Sequence, residues 1–200
     1  MNTTELEHQC LYFAKGELAR QKEKDDKKAM EMYMKAIHIT LPDFDGKNPL
    51  RNNLLTFDEI MIINAIAILH AKADDIMTAV QLGMWLKKYM EEKIVDGTMK
   101  IAKYPMILYN LSNWLGRENC HKEALKMADL GIRFCIRYGN LAFFPILVFN
   151  KGGALAELGK IDQAKKYLHQ SVTIFEAMDR PDLIQVATDW CKLHYRIDIQ

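Results

Sequence analysis

Apolar positions return every three or four residues along almost the whole chain, and no stretch alternates convincingly with period two. That spacing predicts nine helices, over 3–21, 25–40, 57–72, 75–93, 101–117, 120–138, 141–158, 161–178 and 181–196. The longest interruption, LPDFDGKNPLRNN, runs from Leu41 to Asn53 and reads as a long loop within one array. Thr56 followed by Glu59 reads as a capping box that opens the third helix.

The joints between helices repeat. Asp74 lies five residues before Ala79, Asn119 five before Ala124, and Gly159 five before Ala164. Gly, Asn and Asp best tolerate the left-handed backbone that closes a helix. The alanine then sits in the first turn of the following helix, where a small side chain lets a partner helix approach. Ala29 in KKAMEMYMKAI marks a fourth copy with a less regular joint. Helical hairpins with this register resemble a divergent tetratricopeptide array with elongated helices. The best copy is FNKGGALAELGKIDQAKKYL, where Gly152, Leu155, Gly159, Ala164 and Leu168 occupy small or apolar positions. The expected fold is therefore all-α: a right-handed superhelix of hairpins over about 3–40, 57–93, 101–138 and 141–178. A capping helix at 181–196 closes it, within a single domain 1–200.

Two heptapeptides, YPMILYN at 104–110 and FPILVFN at 144–150, each end an apolar run with an amide. Asn64, Asn110 and Asn150 stand 10, 9 and 9 residues before their joints, so they fall at nearly equivalent places on the first helices of successive hairpins. First helices line the concave face of such arrays. Pro105 and Pro145, each five residues before its asparagine, are expected in the first turn of their helices, setting both in the same phase. An amide donates and accepts at once, which suits it to hold an extended peptide backbone without adding charge. Asn110, Asn113 and Arg117 share one helix face, and Arg117 suits a ligand carboxylate. Met106, Tyr109, Ile146 and Phe149 supply apolar contacts beside them. The alternative is that the asparagines bond to neighbouring helices and bind nothing.

Composition narrows the rest. A formal net charge of +1 over 200 residues argues against nucleic-acid binding by this chain alone. No run reaches the length of a membrane span, and no signal peptide opens the chain. Cys10, Cys120, Cys135 and Cys191 are scattered without a CxxC pair and read as reduced thiols, so a cytoplasmic location is expected. His8 with Cys10, and Cys120 with His121, lack a second pair at zinc spacing, so no metal or cofactor is expected. Cys191 and His194 share a face with only Asp189 nearby, which is too little for a nucleophile and its base. No enzyme activity is expected.

AIHITLPDFD, LTFDEIMIINAIAIL, LYNLSNWLGRENCHKEALKMADLGIRFCIRYG and FFPILVFNKGGALAELGKIDQAKKYL resemble the C-terminal half of Firmicutes helix-turn-helix regulators of the Rgg and PlcR kind. The resemblance spans about residues 5–195. It implies a dimerising sensor domain, a short pheromone peptide in the concave groove, and quorum-sensing control of transcription. It also implies that groove asparagines hold the peptide backbone, a role that falls on Asn64, Asn110 and Asn150. In that family DNA is bound by a preceding helix-turn-helix domain, whereas here the repeats begin within the first dozen residues. The rival expectation is a scaffold whose groove takes a partner protein's helix or tail. The apolar Leu183, Ile184, Val186, Ala187, Trp190 and Leu193 exceed what a terminal cap needs and predict a homodimer through the C-terminal region.

Overall fold

The structure is a computed structural model that describes residues 3–48, 54–93 and 96–199. Among these residues there are nine α-helices, two π-helical turns and no strand: α1 (Thr3–Leu18), α2 (Asp26–His38), α3 (Phe57–Lys72), α4 (Ile76–Glu92), α5 (Gly97–Arg117), α6 (His121–Tyr138), α7 (Phe144–Glu157), α8 (Ile161–Ala177) and α9 (Pro181–Trp190). The π turns, Ala19–Glu23 and Cys191–Tyr195, extend α1 and α9. The architecture is an all-α helical repeat. The chain divides into two compact units, Met1–Glu92 and Lys93–Gln200.

The joints form as their residues dictate. Asp74, Asn119 and Gly159 adopt φ of 64, 58 and 74°. Beyond each, the next amide donates back to the carbonyl five residues earlier: Asp75 N to His70 O, Cys120 N to Leu115 O, and Lys160 N to Leu155 O, each at 2.9 Å. These are Schellman closures, which satisfy carbonyls left over at a helix end. Ala79, Ala124 and Ala164, five residues on, are buried against the preceding helix layer. Lys24 also adopts a left-handed φ of 58°, five residues before the buried Ala29, so the first joint keeps the same spacing after all.

In the first unit, α1 pairs with α2 and α3 with α4. Helix α3 carries Ile60, Ile62, Ile63, Ile66 and Leu69, all buried, so it is apolar on nearly every side and runs through the core. Thr56 caps it: Glu59 N donates to the threonine hydroxyl, and Thr56 N donates to the Glu59 carboxylate at 2.6 Å. The loop after α2 is pinned, with His38 Nε2 on the Phe44 carbonyl at 2.7 Å and His70 Nε2 on the Gly46 carbonyl at 3.0 Å. Phe44 is buried beside Trp85, with ring centroids 6.2 Å apart. The remainder of the loop, 49–53, lies outside the described residues.

In the second unit, α5 pairs with α6 and α7 with α8, and α9 with its π turn comes after α8. Lys151 of α7 reaches Asp129 of α6 at 2.7 Å and lies 4.1 Å above the Tyr167 ring of α8, which ties three helices at one point. The two prolines do not play equivalent parts. Pro145 stands in the first turn of α7, but α5 begins at Gly97, four residues earlier than the spacing predicts, so Pro105 lies inside the helix. A proline there deprives the carbonyl four residues back of its donor. That carbonyl, Ile101 O, is taken by Asn140 Nδ2 at 2.6 Å. A side chain from the α6–α7 joint thus replaces the missing backbone bond.

Candidate functional site

The second unit holds a cleft of about 300 Å³. One wall is α5, with Tyr109, Ser112, Asn113, Gly116 and Arg117. Another is α7, with Ile146, Phe149, Asn150, Gly153, Ala154 and Glu157. His121 and Ala124 at the start of α6 close one end, and Val186, Trp190, His194 and Tyr195 form the side built by α9 and its π turn. On α5 the lining runs from Tyr109 to Arg117, eight residues or about 12 Å at the helical rise.

The cleft has two characters. One part is aromatic and aliphatic: Tyr109 stacks on Phe143, itself outside the lining, at 6.0 Å, and Trp190 on His194 at 3.9 Å with planes 26° apart. Burial raises the phenol pKa of Tyr109. Burial also raises that of Tyr195, whose hydroxyl has the Trp190 indole and the Glu157 carboxylate in its surroundings. The end at the close of α5 and α7 is polar. Arg117 and Asn113 are exposed there, and His121 Nε2 stands 3.9 Å from Glu157. The Nδ1 atom of His121 is buried without a hydrogen-bond partner, an unmet polar group beside the cleft.

Of the residues singled out from sequence, Tyr109, Asn113, Arg117, Ile146, Phe149 and Asn150 come together around this cleft. Met106 and Asn110 belong to α5 but not to the lining, and Asn64 belongs to α3 of the first unit. Asn110 and Asn64 are 7% and 3% exposed, and neither is without a partner inside the protein. Asn150 also works inward. Its Nδ2 donates to the Tyr109 carbonyl at 3.2 Å and to the Ser112 hydroxyl at 2.7 Å, while Ser112 Oγ donates to the Tyr109 carbonyl at 2.8 Å. This is the bonding to a neighbouring helix that stood as the alternative for the asparagines. The Asn150 carbonyl oxygen takes part in none of these bonds.

Sequence reasoning missed His121, Glu157, Val186, Trp190, His194 and Tyr195. Val186 and Trp190 are four apart on α9, and the π turn brings His194 to the same cleft. The signal was there: α9 comes after the α7–α8 hairpin as the first helix of a further pair would, with Asp179 at φ 52° as its joint.

An all-α repeat of helical hairpins with an aromatic cleft among its first helices is the class that the geometry defines. Residues 147–177, covering α7 and α8, match the tetratricopeptide repeat family. The fold is also that of Bacillus thuringiensis PlcR, seen in a crystal structure of its apo form, with a TM-score of 0.60. The two chains are 14% identical, over 93% of this chain and 73% of that one. No curated protein matches the sequence.

Proposed function

We propose that the second unit is the sensor region of a transcriptional regulator and binds a short extended peptide in this cleft. The observation that supports it is the pairing of an aromatic wall with exposed hydrogen-bonding groups, Asn113 and Arg117, along one face of α5. The fold shared with PlcR supports the reading of a regulator's domain. Ligand contacts fall on Tyr109, Asn113, Arg117, Ile146, Phe149 and the free oxygen of Asn150. The buried Asn64 and Asn110 are left to internal bonding. Arg117 takes a ligand carboxylate, and no catalytic step is involved. The unit also forms a homodimer through the exposed part of its C-terminal segment.

The test is binding of a pool of synthetic hexapeptides, read by mass spectrometry and then by calorimetry on the peptides retained. Asn113→Ala weakens the retained peptide by about 1–3 kcal/mol with melting unchanged, and Arg117→Ala weakens it by a similar amount, because a desolvated ligand group loses its partner. Asn150→Ala lowers both affinity and melting temperature, since it also releases α5. A wild-type protein that retains no hexapeptide, or an Arg117→Ala variant that binds as well as wild type, would sink this reading.

A further inference from the structure

The C-terminal segment is held by its own residues in the core. Cys191, Ile197 and Ile199 are buried with Leu155, Leu168 and Phe175 of α7 and α8. One contact connects that anchored segment to the cleft. A Cβ built on Gly153 would stand 2.6 Å from the Tyr195 hydroxyl oxygen and 3.3 Å from its Cζ, so no larger residue fits with the ring in place. The same hydroxyl faces the Trp190 indole, and Trp190 is stacked on His194. Gly153, Trp190, His194 and Tyr195 all line the cleft.

Glycine in the interior of a helix is less favourable than alanine, so α7 gives up stability at this position. Its neighbour Gly152 is explained otherwise, since a Cβ there would meet the Leu168 side chain at 2.7 Å. At Gly153 the three nearest atoms all belong to Tyr195. We propose that Gly153 and Tyr195 are the positioning pair of the cleft: the glycine admits the tyrosine hydroxyl against α7, and this seat holds Trp190 and His194 as a binding wall. The role in binding rests on the peptide reading above, whereas the seat itself is open to test without a ligand.

Hydrogen exchange by mass spectrometry on wild type, Gly153→Ala, Tyr195→Phe and the double variant decides it. Gly153→Ala speeds exchange of amides 190–197 by roughly tenfold or more, while α5 to α8 keep their protection. Adding Tyr195→Phe removes the colliding oxygen and brings those amides back to the rate of Tyr195→Phe alone, a coupling that helix propensity does not produce. A hexapeptide retained by the wild type loses roughly tenfold in affinity with Gly153→Ala and recovers in the double variant by the same logic. If Gly153→Ala leaves the segment's exchange unchanged and only raises the melting temperature, or if the double variant exchanges as fast as Gly153→Ala, the seat is refuted. If no hexapeptide binds the wild type, the functional reading falls, and the exchange rates alone settle the seat.

Discussion

At the scale of single residues, the bond from Asn140 to the Ile101 carbonyl shows how a local fault in one helix is repaired from elsewhere in the chain. Pro105 cannot donate to that carbonyl, and a partly buried acceptor left unpaired costs about 1 kcal/mol. Asn140→Ala therefore lowers unfolding free energy by about that amount in chemical denaturation. Pro105→Ala restores the backbone donor and recovers most of the loss in the Asn140→Ala background. Additive effects of the two changes would show that the bond carries no such role. Sequence reading placed both prolines in first turns because YPMILYN and FPILVFN look alike. It had no means of seeing that a residue 35 positions after Pro105 would let α5 run through the proline. The asparagines were ambiguous for a related reason. An amide on a first helix suits a groove and a neighbouring helix equally well, and Asn150 bonds to α5 while its carbonyl oxygen stays available.

At the scale of elements, helix positions and joints were legible because they arise from short-range chemistry. Asp74, Asn119 and Gly159 are residue types that tolerate positive φ, whereas Lys24 is not, and its joint looked irregular until the backbone was seen. The loop after α2 is held by a second local device. The Asp45 carboxylate accepts from Asn48 N at 2.7 Å, from Asn48 Nδ2 at 2.6 Å and from Lys47 N at 2.9 Å. The Asn48 backbone and side-chain bonds, then that of Lys47, hold the Asp45 carboxyl down to about 2. A carboxylate depressed on folding contributes order that is complete above its unfolded value near 4 and is lost as pH falls through its folded value. Exchange of the loop amides at 44–48 should therefore quicken between about pH 4 and pH 2, and Asp45→Asn should show fast exchange already at neutral pH. A loop equally protected at pH 2 and pH 6 would contradict this.

At the scale of the molecule, the repeat architecture was readable from periodicity, while the cleft was not, because its walls come from residues up to 86 positions apart, Tyr109 to Tyr195. Treating 181–196 as a cap hid the fact that it lines the cleft with Trp190 and His194. The same segment leaves Leu193 77% exposed outside the cleft, more apolar surface than a finished end requires. The proposed homodimer covers it. Light scattering at tens of micromolar, roughly the range for a modest interface, should give twice the chain mass, and Leu193→Asp should give the monomer with melting unchanged. Leu193 stands outside the cleft lining, so this variant separates association from ligand binding.

A π turn carries one residue more than the α turn it replaces. At Cys191–Tyr195 this has a consequence for heredity. Deleting one residue there leaves α9 ahead of it but moves each later residue of the turn one place along, about 100° around the helix axis. His194 and Tyr195 would swing away from α7, and Ile197 and Ile199 would leave their places in the core beside α7 and α8. A lineage of such chains is therefore held to the length of this one turn, because a single codon lost there takes away both a wall of the cleft and the anchor of the segment.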